Sequence, residues 1–417
     1  MNQLKTAEPK ALQRWGLFAI VSMIFFHING ATFMSLGVML PYMVEELSLS
    51  WESAGLGFAI LGLMTGLCSN VPAWIIRKLG IKACFGLGGA IMIVGFALMA
   101  TTNGLYQYFA ATCLLGMGFA SCATVPAMHV INSWLPANRS FSIGTYLTFG
   151  ALGGVPGPLI ANAFATGSGS WRTHWWVMGA SLLVLILLAL IFVKMAPDDG
   201  NTSEEEAEEK QEKLRDGIFR TKIHWTLKEA LRTPQYYILI AALSIALLCT
   251  TTVTAFAPAH LGTLGVSAAV AAGALSGHAL VNAFSRLFGG VLARFVEPKW
   301  LLSSALAAEV ISMVTLSHAD STAEIALFAF MEGYAFGMCY LAVVILVVNY
   351  FGKKYNPELL GTVHLFTTIA TVGPWLAGVI GDKYGSFVML FQGFAVLAFL
   401  VLVATLMMKP PQKKSES

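Results

Sequence analysis

The sequence predicts an all-α membrane protein: twelve transmembrane helices in two pseudo-symmetric halves of six. Three observations predict it. Of the 417 residues, 57% are hydrophobic and 11% charged, against about 25% charged in soluble domains. Twelve apolar segments each reach the roughly 20 residues a helix needs to cross a bilayer. One sizeable polar stretch, residues 196–234, divides those segments six and six.

The spans fall near 15–42, 54–76, 83–102, 106–131, 141–164 and 172–195, then 235–260, 268–294, 300–318, 323–349, 360–381 and 386–408. No small-residue cleavage site follows the first, so a retained helix is expected there and not a signal peptide. Lys5, Lys10 and Arg14 precede it. With that end in the cytoplasm, the inward loops carry Arg77, Lys78, Lys82, Arg139, Arg294, Lys299, Lys353 and Lys354, and the central stretch and tail hold the rest. Of the 25 Lys and Arg, Arg172 and Lys383 fall outside and Arg286 within a span, which leaves 22 inside. That bias predicts a multi-pass protein of a cell membrane, inner or plasma, with both termini cytoplasmic.

The expected organisation is a six-helix bundle over 1–195, a cytoplasmic linker over 196–234, a second bundle over 235–408 and a tail over 409–417. The linker opens with the acidic "DDGNTSEEEAEEKQEKLRDG", expected to be mobile. It closes with "TLKEALRTP", expected to be a short amphipathic helix at the membrane surface. The two halves echo each other. "INSWLPANRSFSIGTYLTFGALGG" (131–154) and "VNYFGKKYNPELLGTVHLFTTIATVG" (348–373) both run from Asn and an aromatic through a short basic loop into a Gly-opened helix.

Several chemistries are excluded. The cysteines at 68, 84, 113, 122, 249 and 339 form no CxxC pair and lie in or beside apolar segments, so they read as small buried hydrophobes. There is no GxxxxGK[ST] for ATP and no HExxH, and "GMGFAS" reads as a helix-packing glycine run. No cofactor, metal or enzymatic activity is expected. The net charge of +3 gives no nucleic-acid signal, and a monomer is expected.

One residue breaks the apolar pattern. Arg286, in "HALVNAFSRLFGG", stands eight residues before Arg294, about 12 Å along a helix, and so well inside the span. Insertion of an arginine there costs about 2.5–3.5 kcal/mol. The functional reading is an anchor for an anion, because a guanidinium grips a carboxylate through two parallel charge-assisted hydrogen bonds. Asn282, at i−4, shares its face and is expected to donate to the same ligand. The alternative is a structural ion pair with Glu332. Titratable groups within the spans are His27, His129, His278, His364, Glu309 and Glu332. Glu332, His278 and His364 are the candidates for proton coupling. Glu309 is expected to be structural or lipid-shielded.

The six-plus-six layout resembles the major facilitator superfamily, which implies a site near the bilayer midplane and alternating access. The superfamily's loop motif is weak here: "PAWIIRKLGIK" has Arg77 and "GGVLARF" has Arg294 where an Asp stands. Within the superfamily, "ALRTPQYY" (230–237) resembles the start of span 7 of oxalate/formate antiporters. "NAFSRLFGG" (282–290), "GPWLAGVIGDKYGSF" (373–387) and "LSLSWESAG" (47–55) are similar to segments those antiporters share with monocarboxylate transporters. The resemblance implies that Arg286 is the carboxylate anchor and that Phe336 and Tyr340 line the cavity. Phe33 and Met34 are expected as the opposing apolar wall. Thr367 stands where the antiporters have a lysine, which leaves one cavity cation and disfavours a dianion. Asn282 and Met34 stand where animal monocarboxylate transporters have Asp and Lys, so their proton relay does not carry over. The expected function is secondary, proton-coupled transport of a small monocarboxylate: lactate, pyruvate, acetate or formate. The alternatives are a carboxylate exchanger or a carboxylate sensor.

Overall fold

The computed structural model describes residues 7–135, 139–167, 170–195, 218–221 and 223–412, with side chains of 7–12 and 139–141 undescribed. The acidic stretch, 196–217, lies outside them. The described residues form helices and connections, with no strand. Twelve helices are long and apolar enough to cross a membrane. They are α1 Gln13–Leu47, α2 Trp51–Leu79, α3 Ile81–Ala100, α4 Leu105–Trp134, α5 Ser142–Gly167, α6 Trp171–Phe192, α7 Pro234–Thr263, α8 Ala268–Leu292, α9 Pro298–Leu316, α10 Thr322–Phe351, α11 Asn356–Tyr384 and α12 Val388–Met407. Several run past the apolar stretch that marked them, because hydropathy locates the membrane core while caps and prolines set where a helix begins.

Those caps are local. Ser50, Ser170 and Ser267 accept from backbone N–H groups in the first turns of α2, α6 and α8. Ser321 and Glu324 form a reciprocal capping box on α10. Pro234 and Pro298 occupy the first turns of α7 and α9, where a missing N–H costs nothing.

The chain divides into two compact units, Met1–Glu212 and Lys213–Ser417. In the first, α1 opens into a π-turn over Gly30–Met34. A Cβ at Gly30, Gly153 or Gly157 would strike the facing backbone of α1 or α5, so these glycines let the two helices touch main chain to main chain. Phe33 packs edge-on to Phe58 and Phe119, at 5.9 and 5.2 Å between ring centres.

In the second unit, α10 packs along both α8 and α9. Gly333 and Gly337 of α10 meet the backbone of α8 at His278 and Asn282. Residues 218–221 and 223–234, counted with the linker in the sequence, are docked on this unit. Phe219 N–H donates to Glu297 Oε2 at 3.0 Å, and burial raises the Glu297 carboxyl above its usual range. Thr221 and Trp225 N–H donate to the Asn349 and Phe351 carbonyls. The segment "TLKEALRTP" forms a single turn, Leu227–Ala230, behind a Thr226–Glu229 capping box. The expected surface helix is therefore corrected to one turn held against the bundle. Trp225, just before it, is buried and packs edge-on to Phe351.

Candidate functional site

The candidate site is built on α8 and α10. Arg286 stands six residues before the end of α8, about 9 Å along the axis, a little shallower than its distance from Arg294 suggested. The helix is continuous from Asn282 to Arg286, and the one-turn spacing lets Arg286 Nε donate to Asn282 Oδ1 at 3.0 Å. Asn282 therefore accepts from the arginine, and its amide nitrogen remains a donor. The guanidinium carbon lies 5.3 Å from the centre of the Phe336 ring and 4.9 Å from that of Tyr340. These rings, at i and i+4 of α10, are 6.4 Å apart. Their π-faces attract the cation without neutralising it. Arg286 is half-buried and Asn282 buried. Among the described residues no carboxylate forms an ion pair with Arg286, and its terminal nitrogens meet no acceptor. The ion pair with Glu332 is thus not made.

The remaining candidates divide. His364, exposed on α11, stacks obliquely on Tyr340 at 5.8 Å between ring centres, so it reaches the cluster through that ring. Thr367 is buried and donates to the His364 carbonyl at 2.8 Å; its hydroxyl serves its own helix, one residue before α11 tightens to a 3-10 turn over Thr368–Val372. His278, two turns before Arg286, is buried and lies 3.4 Å from Thr250 Oγ1 on α7. Phe33 and Met34 stand in the other unit. His27 contacts the Met178 carbonyl and Ser181 there.

Glu332 is fully buried and accepts from Ser312 Oγ of α9 at 2.9 Å. Its other neighbour is Glu309, which is itself fully buried. Glu309, expected to be structural or lipid-shielded, is buried inside its own bundle, toward α10. The sequence did hold a signal for this contact. α9 and α10 are joined by the short turn 317–321. Glu309 lies eight residues before that turn begins and Glu332 eleven after it ends, which puts the two carboxyls at similar depth. The first unit has a cavity of about 330 Å3 lined by Tyr42, Glu45, Glu46, Ala165 and Trp171. Glu46 there is paired with Arg172 at 2.9 Å and accepts from Trp171 Nε1. Its acidic lining is the wrong sign for an anion.

A family model of the Major Facilitator Superfamily matches residues 22–294 and 262–417. The chain belongs to the major facilitator superfamily. It is similar to the multidrug resistance protein MdtG of Escherichia fergusonii, at 24% identity over 396 residues and 92% of each chain. It is also similar to MdtG of Citrobacter koseri, at 25% identity over 380 residues, 89% of this chain and 90% of that one. In fold it resembles a bacterial homologue of the human lysosomal transporter Spinster, inward-facing and unoccupied. The TM-score is 0.73 at 16% identity, with 94% of this chain and 95% of that one covered. A variant of the nucleoside transporter NupG gives a TM-score of 0.71 at 15% identity, with 94% and 99% covered. At those identities the two structures speak for the fold alone. The chain is thus a multi-pass secondary transporter of this superfamily. The relatives do not carry a carboxylate name, so membership extends to the superfamily and not to a monocarboxylate or oxalate/formate branch.

Proposed function

We propose that this major facilitator protein carries a small monocarboxylate, of the lactate, pyruvate, acetate or formate class, together with a proton, by alternating access. One observation carries the reading: Arg286 is an unpaired cation within a span, with a preset orientation. Asn282 occupies Nε, so the two terminal nitrogens present the end-on fork that a carboxylate matches. The Asn282 amide nitrogen adds a donor beside it. Phe336 and Tyr340 supply apolar surface for a short tail, the usual make-up of a small-ligand site. Thr367 is proposed to complete it. The basic-residue bias supports cytoplasmic termini in a cell membrane.

A second reading takes its support from the relatives named for multidrug resistance: a carrier of larger amphipathic compounds. Arg286 argues against cationic ones, since burying a cation beside an unpaired guanidinium is costly. Proteoliposome uptake separates the readings. Labelled lactate, pyruvate, acetate or formate should accumulate when the outside is acid, and membrane potential alone should not drive it, because one proton with one monoanion carries no net charge. Accumulation of a lipophilic cation with no carboxylate uptake would reject the proposal.

Selectivity gives a further expectation. With one cation at the site, the second carboxylate of oxalate is left uncompensated at low dielectric. Oxalate should therefore compete weakly or not at all, and Thr367→Lys should shift competition toward it. Strong oxalate uptake by the unmodified protein would contradict the assignment.

A further inference from the structure

We propose that Glu309 and Glu332 form one proton-binding site, a carboxyl pair that holds a single proton between α9 and α10 and that is separate from the Arg286 cluster. The pair is wholly enclosed, both side chains having 0% exposure. Its protein donor is the Ser312 hydroxyl, committed to Glu332 Oε2. Apart from the Cys249 thiol beside Glu309, the oxygens of Glu309 and Oε1 of Glu332 find no donor among the described residues, although the two carboxyls are neighbours. Two adjacent carboxylates so poorly served are not tolerated at low dielectric. A single proton resolves the geometry: one carboxyl becomes an O–H donor and the other accepts. The pair then carries one negative charge, shared over the contact and eased by Ser312.

The surrounding groups do not offer another solution. From α7 come the Cys249 thiol, beside Glu309, and Thr250, occupied with His278. From α8 come His278, whose backbone carbonyl faces Gly333, and Arg286, engaged by Asn282 and the two rings. From α10 comes Cys339, which donates to the Ala242 carbonyl. α12 packs against α9 and carries no titratable side chain between Val388 and Met407. None of these is a cation in ion-pair contact with either glutamate. Two links lead from the pair toward the anion cluster: Gly333, next to Glu332, abuts the α8 backbone at His278, and Phe336, one turn on from Glu332, lies against Arg286. Loss of the proton would add a second negative charge to the pair, one turn along α10 from Phe336, which lies against the arginine that must be compensated when the carrier returns empty.

The role in coupling rests on the carrier reading above, but the existence of the site does not, and the experiment keeps the two apart. Infrared spectra of the unmodified protein in lipid at pH 7 should show the C=O stretch of a protonated carboxylic acid, slow to exchange in D2O. Glu309→Gln with Glu332→Gln should remove it. Absence of the band, or its survival in the double variant, would overturn the proposal whatever the substrate proves to be. In proteoliposomes each single Gln variant should lose acid-driven net uptake while retaining carboxylate exchange, because exchange never requires the empty return. Equal loss of both activities, or loss of neither, would refute the coupling role. If no carboxylate moves at all, the Arg286 reading fails and the infrared result still decides the proton site.

Discussion

Replacing Arg286 with alanine is expected to abolish saturable monocarboxylate uptake while the protein still inserts and folds. Each hydrogen bond to a charged group contributes about 1.5–3 kcal/mol. Losing a two-pronged grip therefore removes about 3–6 kcal/mol, a fall of roughly 10² to 10⁴ in affinity. Arg286→Lys keeps the charge and loses the planar fork. It also loses the Nε donor that Asn282 holds at 3.0 Å. One bond's worth, about a ten- to hundredfold loss, is the expectation for uptake by this variant. Size-exclusion behaviour of the purified variants checks that the fold persists. Near-normal uptake by Arg286→Ala would remove the site assignment.

The second large effect concerns the contact that brings the arginine to its aromatic neighbours. Gly333→Ala should destabilise the protein strongly, and Gly290→Ala should not. Both exchange glycine for the better helix former, which by itself favours the variant by about 0.5–1 kcal/mol. At Gly290 the new methyl meets nothing within 4 Å, so that gain stands. At Gly333 it meets the His278 carbonyl, Val281 and Asn282 N. The neighbour there is backbone, which cannot swing aside, and overpacking costs about 1–3 kcal/mol. Separating α10 from α8 also draws Phe336 and Tyr340 away from the guanidinium, so substrate affinity should fall with stability. Thermal unfolding in detergent and uptake should both rank Gly290→Ala at or above the parent and Gly333→Ala below it. The reverse order would show that these helices are not held together as described.

Much of the fold was legible because the membrane imposes a coarse ruler. A 20-residue apolar run and a basic loop are visible in one dimension, and the twelve helices needed no knowledge of their neighbours. The Arg286–Asn282 bond was legible in part. One helical turn of spacing places the two residues on one face, but it does not show that the Asn282 oxygen accepts from the arginine while its amide nitrogen stays a donor. What periodicity does not encode is which helices touch. The stacking of Arg286 on Phe336 and Tyr340 depends on α8 meeting α10, and that meeting depends on glycines whose partners lie more than fifty residues away. Glu309 was left open between a structural and a lipid-shielded place for the same reason: the sequence does not show that α10 covers it. Thr367 shows another limit, since a hydroxyl in a helix competes for its own backbone carbonyl and Thr367 donates to His364.

The relatives' multidrug name and the unpaired guanidinium of Arg286 within its span point to different cargo, and one binding measurement on the purified carrier decides between them. Labelled lactate, pyruvate, acetate and formate would each be titrated onto the protein, with unlabelled monocarboxylates, oxalate and a lipophilic cation as competitors, and with Arg286→Lys run alongside. We predict saturable binding of at least one monocarboxylate, displaced by other monocarboxylates, untouched by the lipophilic cation and weakened in the lysine variant. Saturable binding of the lipophilic cation, with no monocarboxylate bound and no difference in Arg286→Lys, would contradict the account.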